Sequence, residues 1–154
     1  MRGYLIDVNH VQAHFSKNEA FMSKIRVVPP QDLMRLSAIT LGEITAGHEM
    51  NTTTDKLRRG EFEKFVVNEY LLYVMNVTAT TQTYYGKIMG RIWKKSAPTN
   101  RRIGTDTHLA SLGVNLNDVW LVASAWEHGL VVLTQDKMQC IRDASPEVQF
   151  DCWV

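Results

Sequence analysis

Residues 129–136 read Gly129-Leu130-Val131-Val132-Leu133-Thr134-Gln135-Asp136. The glycine ends a preceding helix, the apolar run predicts a buried β-strand, and an acid follows the strand. The same order of an apolar run and a closing acid occurs near the N-terminus, in Tyr4-Leu5-Ile6-Asp7. Such strands alternate with helical segments along the chain. This alternation predicts right-handed crossovers and a mainly parallel sheet covered by helices on both faces.

The remaining elements follow from periodicity and from helix start and stop signals. Strands are predicted at 3–6, 33–37, 74–77, 130–133 and 148–152. Helices are predicted at 9–17, 19–24, 40–50, 55–72, 80–95 and 137–143, and from a cap at Asn115 or Asn117 to His128. The segments 51–54 and 98–106 are predicted to be loops. Two apolar stripes in 80–95 favour packing into the core, with a surface for a partner helix as the alternative.

Length and composition indicate one domain spanning residues 1–154, with 45% apolar and 21% charged residues. No run approaches the ~18 apolar residues that a membrane span requires, and no separate signal-peptide segment precedes the first strand. Two cysteines are too few for a disulfide framework. We therefore expect a cytoplasmic protein with no membrane association.

Four acids form the main candidate site: Asp7 and Asp136 follow strands, while Glu43 and Asp118 lie in the first turns of predicted helices. Strand ends and helix starts meet at one edge of an α/β sheet, where such folds place their sites. Four carboxylates gathered there require a cation to remain ionised. The pattern therefore predicts a divalent-metal site, and cleavage of a phosphodiester is the favoured use for it.

Each acid also has a purely structural explanation. Thr40 and Glu43 have the spacing of a capping box, in which each side chain satisfies the other's backbone amide. Asp118 can complement a helix dipole, and Asp7 and Asp136 can cap the helices that follow their strands. Caps, however, have no reason to converge on one sheet edge, so the set of four favours a site.

Other polar residues have weaker signals. Asn9 and Thr134 are candidates to hold the neighbouring carboxylates in place, although both are ordinary turn and strand-end residues. His10 and His14 have a spacing that could bind zinc, but no third ligand of matching type lies nearby. Neither cysteine has a context that would activate it as a nucleophile.

A basic segment is the candidate contact for a polyanion. Its cations are Arg91, Lys94, Lys95, Arg101 and Arg102. Phosphate contacts from such residues would give affinity without sequence choice. Solvated cations at an exposed helix end are the common alternative.

Four blocks together resemble the PIN-domain proteins, and most closely the VapC-type toxins of bacterial toxin–antitoxin pairs. They are Leu5-Ile6-Asp7-Val8-Asn9, residues 37–47 (SAITLGEITAG), residues 117–125 (NDVWLVASA) and residues 129–136 (GLVVLTQD). The likeness covers essentially the whole chain, in order. Trp120 and Ser124 depart from the smaller or more uniform apolar residues that are usual in the third block. None of the four acidic positions is lost.

The resemblance implies a PIN-like three-layer α/β/α sandwich and a metal-dependent endoribonuclease with Asp7, Glu43, Asp118 and Asp136 as its acids. It also implies a cognate antitoxin, an RNA substrate such as transfer, ribosomal or messenger RNA, and a homodimer. An all-oxygen site suits Mg²⁺, with Mn²⁺ as a substitute. The predicted metal ligands are Asp7, Asp118 and Asp136, with Asp7 and Asp136 as the most direct.

Two other functions remain open at this point. The chain could be a catalytically silent nucleic-acid-binding module of a regulatory complex, with its acids serving only as caps. A small metal-dependent phosphatase is also conceivable, but such enzymes usually place a second Asp two residues after the first. Asn9 holds that position here, which disfavours the phosphatase.

Overall fold

The computed structural model describes residues 3–29, 32–50, 56–100 and 102–154. Five strands form one sheet: β1 (Tyr4–Ile6), β2 (Met34–Ser37), β3 (Val74–Met75), β4 (Val131–Leu133) and β5 (Gln149–Asp151). Their spatial order is β3-β2-β1-β4-β5, and every neighbouring pair is parallel. The predicted parallel sheet is therefore confirmed.

The direction of the crossovers reverses at β1, which lies between β2 and β4. Ile6, the last residue of β1, is in register with Leu36 of β2 and Leu133 of β4. The residues that follow these three strands consequently emerge at the same level of the sheet. In open α/β sheets a ligand site forms at such a reversal, outside the carboxyl ends of the strands.

Eight α-helices occur in the described residues: α1 (Val8–Phe15), α2 (Glu19–Ile25), α3 (Ala38–Met50), α4 (Lys56–Tyr70), α5 (Thr81–Ser96), α6 (Thr105–Ser111), α7 (Leu116–His128) and α8 (Gln139–Ala144). A 3₁₀ turn, Leu71–Tyr73, follows α4. Asn115 caps α7, and Gly129 ends it in the left-handed conformation at φ 63°. Both end signals of α7 were predicted.

Apolar side chains pack on both faces of the sheet, as expected for buried parallel strands. Leu5 and Val132 point into a cluster with α5, α6, α7 and α8. Ile6 and Leu133 point to the opposite face, into a cluster with α1, α2, α3 and α4. This alternation produces three layers, α/β/α, and confirms the predicted fold class. No helix within the described ranges is long and apolar enough to cross a membrane.

Two sequence predictions about helices were wrong. Residues 98–106 were predicted to be a loop, but α6 begins within them, at Thr105. The cap of α6 is Gly104, which makes no side-chain hydrogen bond, so the sequence carried no cap signal there. The proposed capping box is also absent, because α3 begins at Ala38 and Ser37 Oγ accepts from Ile39 N at 2.9 Å. The predicted loop at 51–54 lies outside the described residues.

Candidate active site

Asp7 is the most firmly held of the four acids. It follows β1, is buried, and caps α1 by accepting from Val8 N through Oδ1 at 2.6 Å. Its other oxygen, Oδ2, accepts from Thr134 Oγ1 at 2.9 Å. Burial raises the pKa of Asp7; the two hydrogen bonds oppose this effect, while the charges of Asp136 and Glu43 add to it. Capping and membership of an acidic site therefore coexist at this residue.

Thr134 connects the ends of β1 and β4. Besides donating to Asp7, its hydroxyl accepts from Asp136 N at 3.0 Å and thereby fixes the turn that carries the Asp136 carboxylate. The Thr134 backbone is in turn held by Asp151 O, at 3.1 Å from Thr134 N. Thr134 was predicted to support its neighbour Asp136, and it reaches across to Asp7 as well.

Glu43 is brought to the site from α3. Its Oε1 accepts from Asn117 Nδ2, in the first turn of α7, at 2.8 Å. The bond links two helices that approach the same sheet edge and orients the carboxylate of Glu43. Asn117 was considered in the sequence only as a cap of α7, and no local pattern indicated its contact with a residue 74 positions away.

Asp118 shows most directly that the four acids converge. The pKa of its carboxyl is raised to about 7, mainly by burial and then by the charges of Asp7, Asp136 and Glu43 in that order of importance. Because the charges of all three act on Asp118, the four carboxylates share one electrostatic environment. Like charges that share a site oppose one another's ionisation, so this edge of the sheet favours a bound cation.

The four acids do not by themselves form a complete set of metal ligands. Among the described residues, no group of three or more His, Cys, Asp or Glu side chains forms a set that could hold a metal ion. Mg²⁺ usually keeps several waters and takes one or two carboxylates directly, so a closed cage is not required. The all-oxygen chemistry of these acids suits a hydrated Mg²⁺ or Mn²⁺ better than zinc, which prefers imidazole and thiolate ligands.

A groove of about 710 Å³ opens beside the acids, between α1, α3 and α4. Asn9, Glu43 and Gln135 line its acidic end. Apolar side chains line its floor, including Phe15, Ile44 and Phe62. Asn9 therefore lines the same groove as Glu43, and its role in holding the Asp7 carboxylate stays a prediction.

Basic side chains also border this groove. His48, Arg58 and Arg59 belong to its lining. Arg59 pairs with Glu63 at 3.1 Å and with Glu49 at 2.9 Å, and His48 Nδ1 lies 3.1 Å from Glu63. Local sequence gives no sign of this grouping, because His48 of α3 and the Arg58-Arg59 pair of α4 come together only in the fold.

The predicted polyanion contacts divide into two groups. Arg91 forms a bidentate pair with Glu147, both distances being 2.8 Å, and Lys95 pairs with Asp143 at 2.8 Å. Lys94 and Arg102 are exposed. Arg101 lies outside the described residues. The role of these cations in binding RNA stays a prediction, and existing ion pairs compete for two of them.

The two histidines on α1 have separate partners. His10 is fully buried, and its Nε2 accepts from Trp153 N at 3.1 Å. His14 Nδ1 lies 2.6 Å from Tyr70 Oη. Burial lowers the pKa of both imidazoles, so both are neutral at pH 7. Since the two rings serve different parts of the core, their spacing reflects packing and not a shared zinc ion.

Comparison with solved structures shows the same fold over nearly the whole chain. A chain of VapBC2 from Rickettsia felis, bound to a DNA fragment from their promoter, superposes with a TM-score of 0.71 at 14% identity and covers 99% of both chains. VapBC-1 from nontypeable Haemophilus influenzae gives 0.71 at 17% identity, with 98% of both chains covered. VapBC-5 from Mycobacterium tuberculosis, a member of the VapBC family of toxin–antitoxin systems, gives 0.61 at 21% identity and covers 97% of this chain and 98% of that one.

No protein-family model matches the chain, and no curated protein matches it in sequence. The structural neighbours are toxin–antitoxin complexes. The resemblance first indicated by four short blocks is thus confirmed at the level of the fold.

Proposed function

We propose that this protein is a metal-dependent endoribonuclease that acts as the toxin of a toxin–antitoxin pair. The single observation that carries the proposal is that the four acids come together at one edge of the sheet: Thr134 joins Asp7 to the turn of Asp136, and Asn117, next to Asp118, holds Glu43. The raised pKa of Asp118, about 7, agrees with this arrangement. Acids that serve only as helix caps have no reason to lie close enough for their charges to act on one another. The shared fold with VapBC chains supports the same assignment.

In the proposed site, Asp7, Asp118 and Asp136 would hold Mg²⁺, or Mn²⁺ in its place. When bound, the ion supplies positive charge that makes a water nucleophilic near neutral pH and stabilises the phosphate. Asp7 is fixed for this role by Val8 N and the Thr134 hydroxyl.

Glu43 has a different task in this scheme. Because Asn117 donates to its Oε1, the carboxylate has a set orientation, and Oε2 can accept a hydrogen bond from the attacking water. In this scheme water, and not the ribose 2′-hydroxyl, attacks phosphorus, and the P–O3′ bond breaks with the 3′-oxygen taking up a proton. The products therefore carry a 5′-phosphate and a 3′-hydroxyl. Products ending in a 2′,3′-cyclic phosphate would contradict this scheme.

The substrate and partners follow from the same assignment. Exposed Lys94 and Arg102, with Arg101 beside them in sequence, would contact RNA phosphates, which give affinity without base choice. The partner is a cognate antitoxin, as in the VapBC complexes that share this fold. A homodimer is part of the proposal.

The test is cleavage of total RNA by the purified protein in Mg²⁺, in Mn²⁺ and in chelator. Asp7→Asn keeps the size of the side chain but removes its charge. The matched control is Asp143→Asn, which makes the same change at an exposed ion pair with Lys95. We expect discrete fragments that require metal, disappear with Asp7→Asn and persist with Asp143→Asn.

The silent nucleic-acid-binding module is the second candidate. The incomplete metal set among the described residues favours it. If protein free of any antitoxin yields no metal-dependent cleavage, and Asp7→Asn binds RNA as the unaltered protein does, the nuclease is wrong and the binding module stands.

A further inference from the structure

Trp120 is an aromatic residue that the proposed chemistry does not use. It lies on α7 two residues after Asp118, and it is half-buried. Its ring stacks on Tyr85 of α5 with centroids 4.0 Å apart and planes inclined by 21°. Trp120 belongs to neither of the two apolar clusters, whereas Tyr85 packs against one of them. No described residue accepts a hydrogen bond from the indole N–H of Trp120.

The stacked pair adjoins the acids through Asn117. Residues three apart on a helix are neighbours on one face, so Asn117 and Trp120 lie side by side on α7. Asn117 is the residue that holds Glu43. Trp120 therefore lies one helical turn from the residue that holds Glu43, and its ring rests on Tyr85.

Part of the Trp120 side chain stays accessible to solvent, so a ligand can reach it. Its support by Tyr85 keeps the indole in one orientation, which reduces the entropy lost when a flat ligand stacks on it. Unpaired nucleobases are such ligands, and proteins bind them by stacking on aromatic side chains. The bases of a duplex already stack on each other and do not offer a free face.

We infer that Trp120, supported by Tyr85, is a stacking platform for an unpaired nucleobase next to the phosphate held at the acids. The inference rests on the proposed nuclease function and specifies which residues of this chain position an unpaired base of the RNA. Trp120 is then a specificity-determining residue, and the acids act on whichever phosphate the stacked base positions.

The experiment measures binding separately from cleavage. All proteins carry Asp7→Asn to prevent turnover, and binding in Mg²⁺ is followed with a short fluorescein-labelled single-stranded RNA and with the same strand annealed to its complement. The variants are Trp120→Leu and Trp120→Phe. Tyr73→Leu is the control, because Tyr73 is a 41% exposed aromatic residue at the end of the 3₁₀ turn, ahead of β3 and away from the carboxyl ends of the strands.

We expect Trp120→Leu to weaken binding of the single strand about 5- to 150-fold, the range that loss of one stacked base gives. Binding of the duplex should change much less, Trp120→Phe should restore most of the affinity, and Tyr73→Leu should bind normally. Circular dichroism and thermal melting of Trp120→Leu show whether any loss reflects unfolding, and Trp120→Phe provides the test if Trp120→Leu does not fold.

Three results would overturn the platform. They are unchanged binding of the single strand by Trp120→Leu, equal losses on single strand and duplex, and a changed oligomeric state in sedimentation, which would make Trp120 a protein contact. Cleavage is assayed in parallel with proteins that retain Asp7. Selective loss of single-strand binding by Trp120→Leu, together with no cleavage by the protein that retains Asp7, would retain the platform and reject the nuclease. Metal-dependent cleavage by that protein, together with normal binding by Trp120→Leu, would do the reverse.

Discussion

The Thr134 hydroxyl donates to Asp7 Oδ2 at 2.9 Å and joins the ends of two neighbouring parallel strands. The same hydroxyl accepts from Asp136 N at 3.0 Å. One side chain thus fixes two of the four acids, although Thr134 and Asp7 are 127 positions apart in the chain.

Thr134→Val should reduce metal-dependent cleavage about 10- to 100-fold, as loss of a residue that orients metal ligands typically does. The valine keeps the buried shape of the side chain but neither donates to Asp7 nor accepts from Asp136. Initial rates on a defined RNA, measured across a Mg²⁺ titration, check this prediction. Thr134→Ser retains the hydroxyl and should stay close to the unaltered rate; an equal loss in Ser and Val would point to packing instead.

Asn117→Ala should lower the cleavage rate about tenfold, because Glu43 loses the hydrogen bond that orients it. The melting temperature should change little, since the bond is exposed. Asn68→Ala, an exposed asparagine on α4, is the control. A normal rate with Asn117→Ala would show that the orientation of Glu43 has no part in the reaction.

The metal-free protein should lose stability as the pH rises from about 4 to 7, because the native state holds a proton on Asp118 that the unfolded chain releases near the ordinary aspartate pKa of 3.8. The stabilising effect is fully present below the unfolded pKa and is lost as pH passes the folded pKa of about 7. Asp118→Asn should therefore stabilise the metal-free protein at pH 8, by about 1–2 kcal/mol once solvent screening is allowed for.

Comparing Asp118→Asn with the unaltered protein isolates the contribution of Asp118 to stability. His10 and His14 act in the opposite sense, since their lowered pKa values make acid destabilising, but they are present in both. Urea unfolding in chelator at pH 5 and pH 8 gives the free energies of unfolding. Equal free energies of unfolding for the two proteins at pH 8 would show that the charges of the other three acids do not act on Asp118.

The cations near the end of α5 should differ in their effect on RNA binding, depending on whether each already forms an ion pair. Replacing Lys94 and Arg102 together by Ala should weaken RNA binding and lower the slope of log affinity against log salt by about 1.4, or 0.7 for each single-strand phosphate contact. Replacing Arg91 and Lys95 by Gln should change the slope less, because Glu147 and Asp143 already neutralise them. The opposite order in fluorescence-anisotropy titrations would assign the RNA contact to the paired cations.

Local sequence was sufficient for most of the fold. The apolar runs at β1 and β4, the cap at Asn115 and the stop at Gly129 each act over a few residues, so the chain records them directly. The start of α6 was missed because Gly104 contributes no side-chain cap. The start of α3 was misplaced because Ser37 and Thr40 both have hydroxyls able to cap, and only the strand end at Ser37 decides between them.

By itself, then, the sequence determined the alternation of strands and helices, and with it the edge at which Asp7 and Asp136 emerge. Only the tertiary structure decided which side chains meet there. Thr134 reaches Asp7, and Asn117 reaches Glu43, because crossovers bring β1 beside β4 and α3 beside α7. The charges of acids far apart in sequence act on Asp118 for the same reason. A pKa near 7 is a property of that shared, partly buried space, and no single stretch of sequence contains it.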